Sequence, residues 1–260
     1  MIQQQPDKEP IKTVPWTIQQ TFLGIFLTIV PWIILALALT TLNPGTQPTK
    51  PLPPQTDLVS AIVSFLFAVI IEGAFLIAPL VIAYRAFHYI KPQAQLALRA
   101  LGFQRFPLGQ TLFWIIIFMF AIFAANNLYE YVITVLHLNL QTNDQVLLAR
   151  SKEAPLTTYA TLLGAVLIAP ICEETFFRGF VFPGLCRGMP VGWAIVISSL
   201  LFAVTHADPG SFLVLFVIGL ALAFLRWRTN SIWPGIFLHT FNNSLAALVI
   251  ILTMNGIIKP

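Results

Sequence analysis

Long apolar runs separated by short polar connections set the pattern of this chain. Mostly apolar stretches recur over residues 17–41, 58–84, 109–137, 157–185, 191–206, 211–226 and 231–254. About 20 such residues carry a helix across the hydrocarbon core of a bilayer, so the pattern predicts seven spanning helices. Two of the runs, 191–206 and 211–226, are short, and Asp208-Pro209-Gly210 separates them, a strong breaker. The run 157–185 is long, contains Pro170 and ends near Pro183-Gly184. A break near Ala169-Pro170 divides it and raises the count to eight. The expected fold is all-α, a polytopic transmembrane helical bundle of seven or eight spans.

Between the runs, the stretch 44–55 holds Pro44, Pro48, Pro51, Pro53 and Pro54. It cannot form helix or sheet interior and reads as an exposed connection. Residues 139–156 read as the other sizeable outer loop. No internal repeat or low-complexity tract is evident.

Composition sharpens this picture. The chain is 57% hydrophobic and 9% charged, with mean hydropathy +0.83. Soluble domains carry about 25% charged residues, so lipid is the expected solvent and partner. The net charge of +4 raises nucleic acid as a partner. The basic residues, however, lie in short connections without clustering or aromatic interleaving, so no nucleic-acid partner is expected. Membrane topology accounts for them better. With the N-terminus inside, the inner connections hold Lys8, Lys12, Arg85, Lys91, Arg99, Arg105, Arg187, Arg226 and Arg228. The outer ones hold only Lys50, Arg150, Lys152 and Lys259. A cytoplasmic N-terminus follows, and seven spans leave the C-terminus outside; an eighth reverses that end. Residues 1–16 mix Lys8 and Lys12 with Asp7 and Glu9, and no small-residue cleavage site follows, so the first run reads as a retained span. Cys172 and Cys186 form no CxxC pair, which disfavours a disulfide framework or a cysteine zinc site.

Three fragments interrupt the apolar pattern in its last hundred residues: Glu173-Glu174-Thr-Phe-Phe-Arg178, Phe202-Ala-Val-Thr-His206 and His239-Thr-Phe-Asn-Asn243. Ionisable residues inside a membrane are costly and point to function by default. A rise of about 1.5 Å per residue puts Glu173 about 18 Å, His206 about 22 Å, His239 about 12 Å and Asn243 about 18 Å from the inner surface. One layer near mid-membrane therefore accommodates all four. Glu174 and Arg178 are four residues apart and face each other as an ion pair. Glu173 lies about 140° from Arg178 around the axis and is left to act elsewhere. His239 and Asn243 share a face. The chemistry that follows is hydrolysis: Glu173 and His206 polarise a water, and His239 and Asn243 donate to the oxyanion.

Each residue also has a plainer reading. Glu173 can be a structural hydrogen-bonding group, His206 a helix-end histidine, and His239 and Asn243 an interhelical polar pair. Phe202 reads as packing. Glu72, Asn126, Asn127 and Glu130 read as structural polar contacts, His88 and His137 as interfacial, and Cys172 as a small buried hydrophobe. Glu173, His206 and His239 also compose a His₂Glu zinc set. There is no HExxH, and Asn243 suits an oxyanion donor better than a ligand. No cofactor is therefore favoured, and zinc is the alternative.

Together, EExxxR at Glu173–Arg178, FxxxH at Phe202–His206 and HxxxN at His239–Asn243 resemble the CAAX-protease and bacteriocin-processing family. That intramembrane group includes the type II CAAX prenyl endopeptidase. The resemblance covers roughly residues 157–250. It implies about eight spans and endopeptidase activity in the membrane, with Glu173 and His206 activating water and His239 and Asn243 at the oxyanion. It also implies a glutamate-dependent reaction rather than a metal-dependent one, although the family is often labelled metalloprotease. The expected organisation is N-terminal spans and loops over 1–156, a catalytic membrane core over 157–250 and a tail over 251–260. The expected substrate is a membrane-associated or prenylated protein or peptide. Two other functions compete: a non-catalytic membrane peptide-binding or bacteriocin-immunity protein of the same fold, and a small transporter using Glu72, Glu130 and Glu173 as a proton path.

Overall fold

The computed structural model of the protein describes residues 14–42 and 51–259. The expectations for Asp7, Lys8, Glu9, Lys12, Lys50 and residues 44–50 lie outside them. The described residues form helices α1 (Ile18–Leu42), α2 (Pro54–Ala86), α3 (Gln93–Ala100), α4 (Leu108–Val135), α5 (Asn143–Ser151), α6 (Pro155–Leu167) and α7 (Ala169–Glu174). A π-helical stretch, Thr175–Val181, leads into α8 (Phe182–Leu185), followed by α9 (Val191–Thr205), α10 (Phe212–Thr229) and α11 (Trp233–Met254). Six helical segments are long and apolar enough to cross a bilayer, and α9 is a shorter apolar helix. The protein is an all-α integral membrane bundle.

Proline shapes several boundaries. Pro54 begins α2 and Pro155 begins α6, where the missing N–H costs nothing. Pro170 cannot donate to the carbonyl four residues back, and the chain breaks between α6 and α7 at Ile168 (φ −97°, ψ −53°). The break bends one path, Pro155–Leu185, without dividing it into two spans.

Residues 139–156 are not simply a loop. Thr142 caps α5 by accepting from Gln145 N at 3.1 Å, and Gln145 Oε1 accepts from Thr142 N at 3.2 Å. This reciprocal capping box starts α5 in the middle of the expected loop. Helix α3 likewise occupies part of the connection between α2 and α4. Two arginines expected in inner connections have structural work. Arg226 is buried, and its Nε donates to Arg178 O at 3.0 Å. Arg187 donates from Nη1 to Val14 O and Trp16 O at 2.8 and 2.9 Å.

The core centres on the π-helical stretch. Phe176, Phe177, Phe180 and Val181 are fully buried there, between α2, α9 and α10. The opening of the helix matters because π turns are rare and recur at functional sites. At Gly219, a Cβ would lie 2.9 Å from Ser199 Cβ, so a small residue lets α10 approach α9 this closely.

Helix α9 has fifteen residues, about 22 Å at the helical rise, shorter than the roughly 30 Å hydrocarbon core. Its C-terminal carbonyls therefore need partners inside the bundle. Thr205 O accepts from Trp32 Nε1 of α1 at 2.7 Å, and His206 O accepts from Asn143 Nδ2 at 3.3 Å. Phe202 O accepts from Thr205 Oγ1 at 2.9 Å and from His206 Nδ1 at 2.8 Å. Ala207 then takes a left-handed conformation (φ +48°) and turns the chain away. The Asp208 carboxylate holds that turn by accepting from Asn143 N at 2.9 Å and Ser211 N at 3.0 Å.

Candidate active site

Glu173, in the last turn of α7, stands beside two histidines from other elements. Its Oε2 lies 3.8 Å from His206 Nε2, at the end of α9, and 3.9 Å from His239 Nε2, on α11. Both separations exceed a direct hydrogen bond, and this buried oxygen has no hydrogen-bonding partner. A buried polar atom without a partner is uncommon. Here it faces imidazole nitrogens across a gap that one water can bridge.

The carbonyl of Phe202 fixes the form of His206. A carbonyl only accepts, so the 2.8 Å contact requires the proton on Nδ1. In the neutral ring Nε2 then carries the lone pair and faces Glu173. Phe202 does more than pack. Its ring centroid lies 4.6 Å from that of His206 and 5.6 Å from that of His239, and the Arg178 guanidinium sits 4.3 Å from it.

Glu174 points the other way. Arg178 Nη1 donates to Glu174 Oε1 at 2.7 Å, both side chains being fully buried, and Nη2 donates to Gly219 O at 3.1 Å. The same Glu174 oxygen lies 3.5 Å from His239 Nδ1. His239 thus stands between two carboxylates, one paired with arginine and one not. Helix α11 comes so near that a Cβ on Gly235 would lie 2.5 Å from Glu174 Oε2.

The structure brings Glu173, Glu174, Arg178, His206 and His239 together. Asn243 has a different recorded contact: its Nδ2 donates to Ala165 O at 2.9 Å. That carbonyl neighbours Val166, whose own acceptor Pro170 leaves without its helical donor. Asn243 therefore ties α11 to α6 at the break that precedes Glu173.

Glu72 departs from its expected structural contact. Its Oε2 is buried without a partner, and it lies within electrostatic reach of Glu173 and Cys172. Its place on α2 beside α7 was not readable from spacing. Glu130 lies on the exposed side of α4, where Asn126 Nδ2 reaches its Oε1 at 3.5 Å. Asn127 donates to Phe123 O at 2.7 Å. His88 and His137 are exposed just beyond α2 and α4. Cys172 and Cys186 are buried and form no disulfide.

Among the described residues, no three His, Cys, Asp or Glu side chains are grouped as a metal ion requires. The nearest set is Glu173, His206 and His239, at the separations given above.

Residues 155–245, which contain all seven motif residues, match the family described as Rce1-like, type II CAAX prenyl endopeptidase Rce1-like. The chain is also similar to the "Putative membrane peptidase YdiL" of Bacillus subtilis (strain 168), 32% identical over 107 residues, covering 41% of this chain and 42% of that protein. An "Uncharacterized protein" of Mycoplasma capricolum subsp. capricolum is 31% identical over 147 residues, covering 52% of this chain and 42% of that protein. The chain thus spans less than half the length of these curated relatives. No solved structure matches it significantly. The Rce1-like match begins at the start of α6, so Glu72 and α1 to α5 lie outside it.

Proposed function

We propose that the protein is an intramembrane endopeptidase that hydrolyses a peptide bond of a membrane-associated or prenylated protein. One observation carries this reading: the unpartnered Oε2 of Glu173, buried and facing two imidazoles at 3.8 and 3.9 Å. The Rce1-like match over residues 155–245 supports it.

A water between Glu173 and His206 donates one hydrogen to the carboxylate and the other to His206 Nε2. As its oxygen bonds to the substrate carbonyl carbon, its proton passes to Glu173. His239, in its Nε2–H form, donates to the oxyanion, and the second amide N–H of Asn243 adds to that donor set. The C–N bond then breaks, and Glu173 returns the proton to the departing amine. The Glu174–Arg178 pair holds the helix and leaves no free charge beside His239. Phe202 sets the tautomer of His206 through its carbonyl. Low local dielectric strengthens each of these interactions.

The metal-free form of this reaction is preferred because Glu173 and His206 suffice to activate water and Asn243 suits a donor role. Zinc is the competing form: Glu173, His206 and His239 would hold it, and it would supply Lewis-acid activation of a water.

The test is cleavage of a mixed library of prenylated and unprenylated peptides by detergent-purified protein. Wild type and Glu173→Ala are compared, each with and without a strong chelator. Cleavage by wild type that survives the chelator and disappears in Glu173→Ala is the expected result. Loss with chelator moves the site to zinc. Equal cleavage by wild type and Glu173→Ala overturns the role of Glu173.

A further inference from the structure

A cavity lies away from Glu173. It is a groove of about 500 Å³ between α1 and α2, walled by Leu23, Leu27, Leu35, Ile77 and Val81. Helix packing explains it. α1 rests on the π-helical stretch, α8 and α9 as well as on α2. Gly24 sits so near the Phe180 ring that a Cβ there would collide with it, and Trp32 reaches across to Thr205 O. Each helix also carries an internal proline, Pro31 in α1 and Pro79 in α2, and such residues bend a helix. The two helices part, and an apolar groove remains.

Its two ends differ. One end, at Leu35 and Ile71, is apolar and abuts the site: Ile71 adjoins Glu72, and the lining residue Phe75 packs on Phe176 and Phe177 at 5.3 and 6.1 Å between ring centroids. The other end carries Gln20 and Arg85. Fifteen residues separate Gln20 from Leu35, about 22 Å along the helix.

Arg85 differs from the other arginines near the core. Arg178, Arg187 and Arg226 spend their guanidinium groups on protein acceptors. Arg85 is exposed at the end of α2, and its guanidinium has no protein partner among the described residues. Gln20 accepts from Thr17 N through Oε1, which leaves its amide N–H groups for a ligand. Tyr84 and Tyr89 are exposed at the same end, 49% and 93%, as expected of side chains at headgroup level. No acidic residue occurs between Glu72 and Glu130, while Arg85, Lys91, Arg99 and Arg105 do.

We propose that this groove is a binding site for an anionic bilayer phospholipid, with one acyl chain between α1 and α2 and the phosphate on Arg85 and Gln20. Charge complementarity selects this occupant, since basic pockets between spans bind anionic headgroups. The fixed cation stands at the interface, about 22 Å from the apolar end, as a headgroup stands from the end of its chain. The bound chain would touch Trp32 and Phe75, which brace the helices bearing His206 and Glu173. The proposal does not rest on the peptidase reading, because its readout is binding.

The experiment is native mass spectrometry of delipidated, detergent-purified full-length protein titrated with phosphatidylglycerol or phosphatidylcholine. Wild type is expected to prefer phosphatidylglycerol about five-fold, the worth of one interfacial basic residue. Arg85→Gln should abolish the preference, and Arg85→Lys should retain most of it, which separates charge from misfolding. Ala74→Phe, which fills the groove, should weaken both lipids. Glycerol phosphate alone should not compete. Equal binding of both lipids by wild type, or an unchanged preference in Arg85→Gln, overturns the proposal. Competition by glycerol phosphate would assign a bare phosphate site instead. Retention of a prenylated peptide in place of phospholipid, sensitive to Ala74→Phe, would assign the groove to substrate and equally overturn it.

Discussion

The most apolar window of α2 has mean hydropathy 2.6 and is 11% buried, whereas that of α10 has 1.8 and is 50% buried. The more apolar helix is thus the less covered. In a bilayer the lipid tails accept apolar side chains as readily as the protein does, so hydropathy marks a span without marking the core. The polar groups make the distinction instead. On α4, Asn127 bonds to the carbonyl one turn back and Asn126 to Glu130 on the same helix. In the C-terminal half three polar side chains bond between helical segments: Arg178 to Gly219 O, Arg226 to Arg178 O, and Asn243 to Ala165 O. Asn126 and Asn127 thus serve their own helix, whereas Arg178, Arg226 and Asn243 hold neighbouring segments together.

One substitution made in both halves tests this most severely. Glu173→Gln should lower peptide cleavage by about 10²- to 10⁴-fold, the usual contribution of a positioned acid–base group, without loss of folded protein. Glu130→Gln should change the same rate less than about two-fold, since Glu130 has only an intrahelical contact at 3.5 Å. A comparable loss in both variants would break the comparison and revive a proton path through α4.

Removing Arg178 comes next. Arg178→Met leaves the fully buried Glu174 without its cation, at a cost of about 3–5 kcal/mol. The double variant Glu174→Leu, Arg178→Met should recover most of that, because it removes the buried charge as well. Thermal unfolding in detergent measures both. A double variant as unstable as the single one would show that the bond to Gly219 O, not the ion pair, holds α10.

Much of this contrast is legible in the sequence. The apolar runs locate the spans to within a few residues, because length and composition alone decide them. Depth arithmetic puts Glu173, His206, His239 and Asn243 in one layer, and the structure has both histidines within 4 Å of Glu173; their chemical roles are the proposal above. Other features depend on tertiary contacts. Nothing local announces that Arg226 turns inward to the backbone of Arg178, or that Glu72 comes within electrostatic reach of Glu173. The π-helical stretch, in which Phe176 and Phe180 are fully buried, is marked by no residue pattern. One miss was avoidable: Thr142 and Gln145 form a capping box that is written in the sequence and marks the start of α5.

Asp57 joins the two halves and sharpens the comparison at smaller scale. It sits at the start of α2, yet caps the start of α6. Its carboxylate accepts from Leu156 N at 2.8 Å, Thr157 N at 3.0 Å and Thr157 Oγ1 at 2.7 Å. Asp57→Ala should cost about 1–2 kcal/mol, the range of a lost helix cap, and reduce cleavage only in proportion to folded protein. A fall in the rate per folded molecule would mean that the cap also sets the position of Glu173 through α6 and α7.

The smallest effect is expected on the lipid face of α4. Phe120 is 72% exposed and lies in a span whose most apolar window is 11% buried. Phe120→Leu exchanges one apolar side chain for another against lipid tails, so unfolding should move by no more than about 0.5 kcal/mol. Gly219→Leu on α10, at the contact with Ser199, provides the contrast: its side chain would have to displace α9. If Phe120→Leu destabilised the protein as much as Gly219→Leu, the exposed face of α4 would be packed against another protein surface rather than lipid. The two halves would then differ in partner, not in degree of burial.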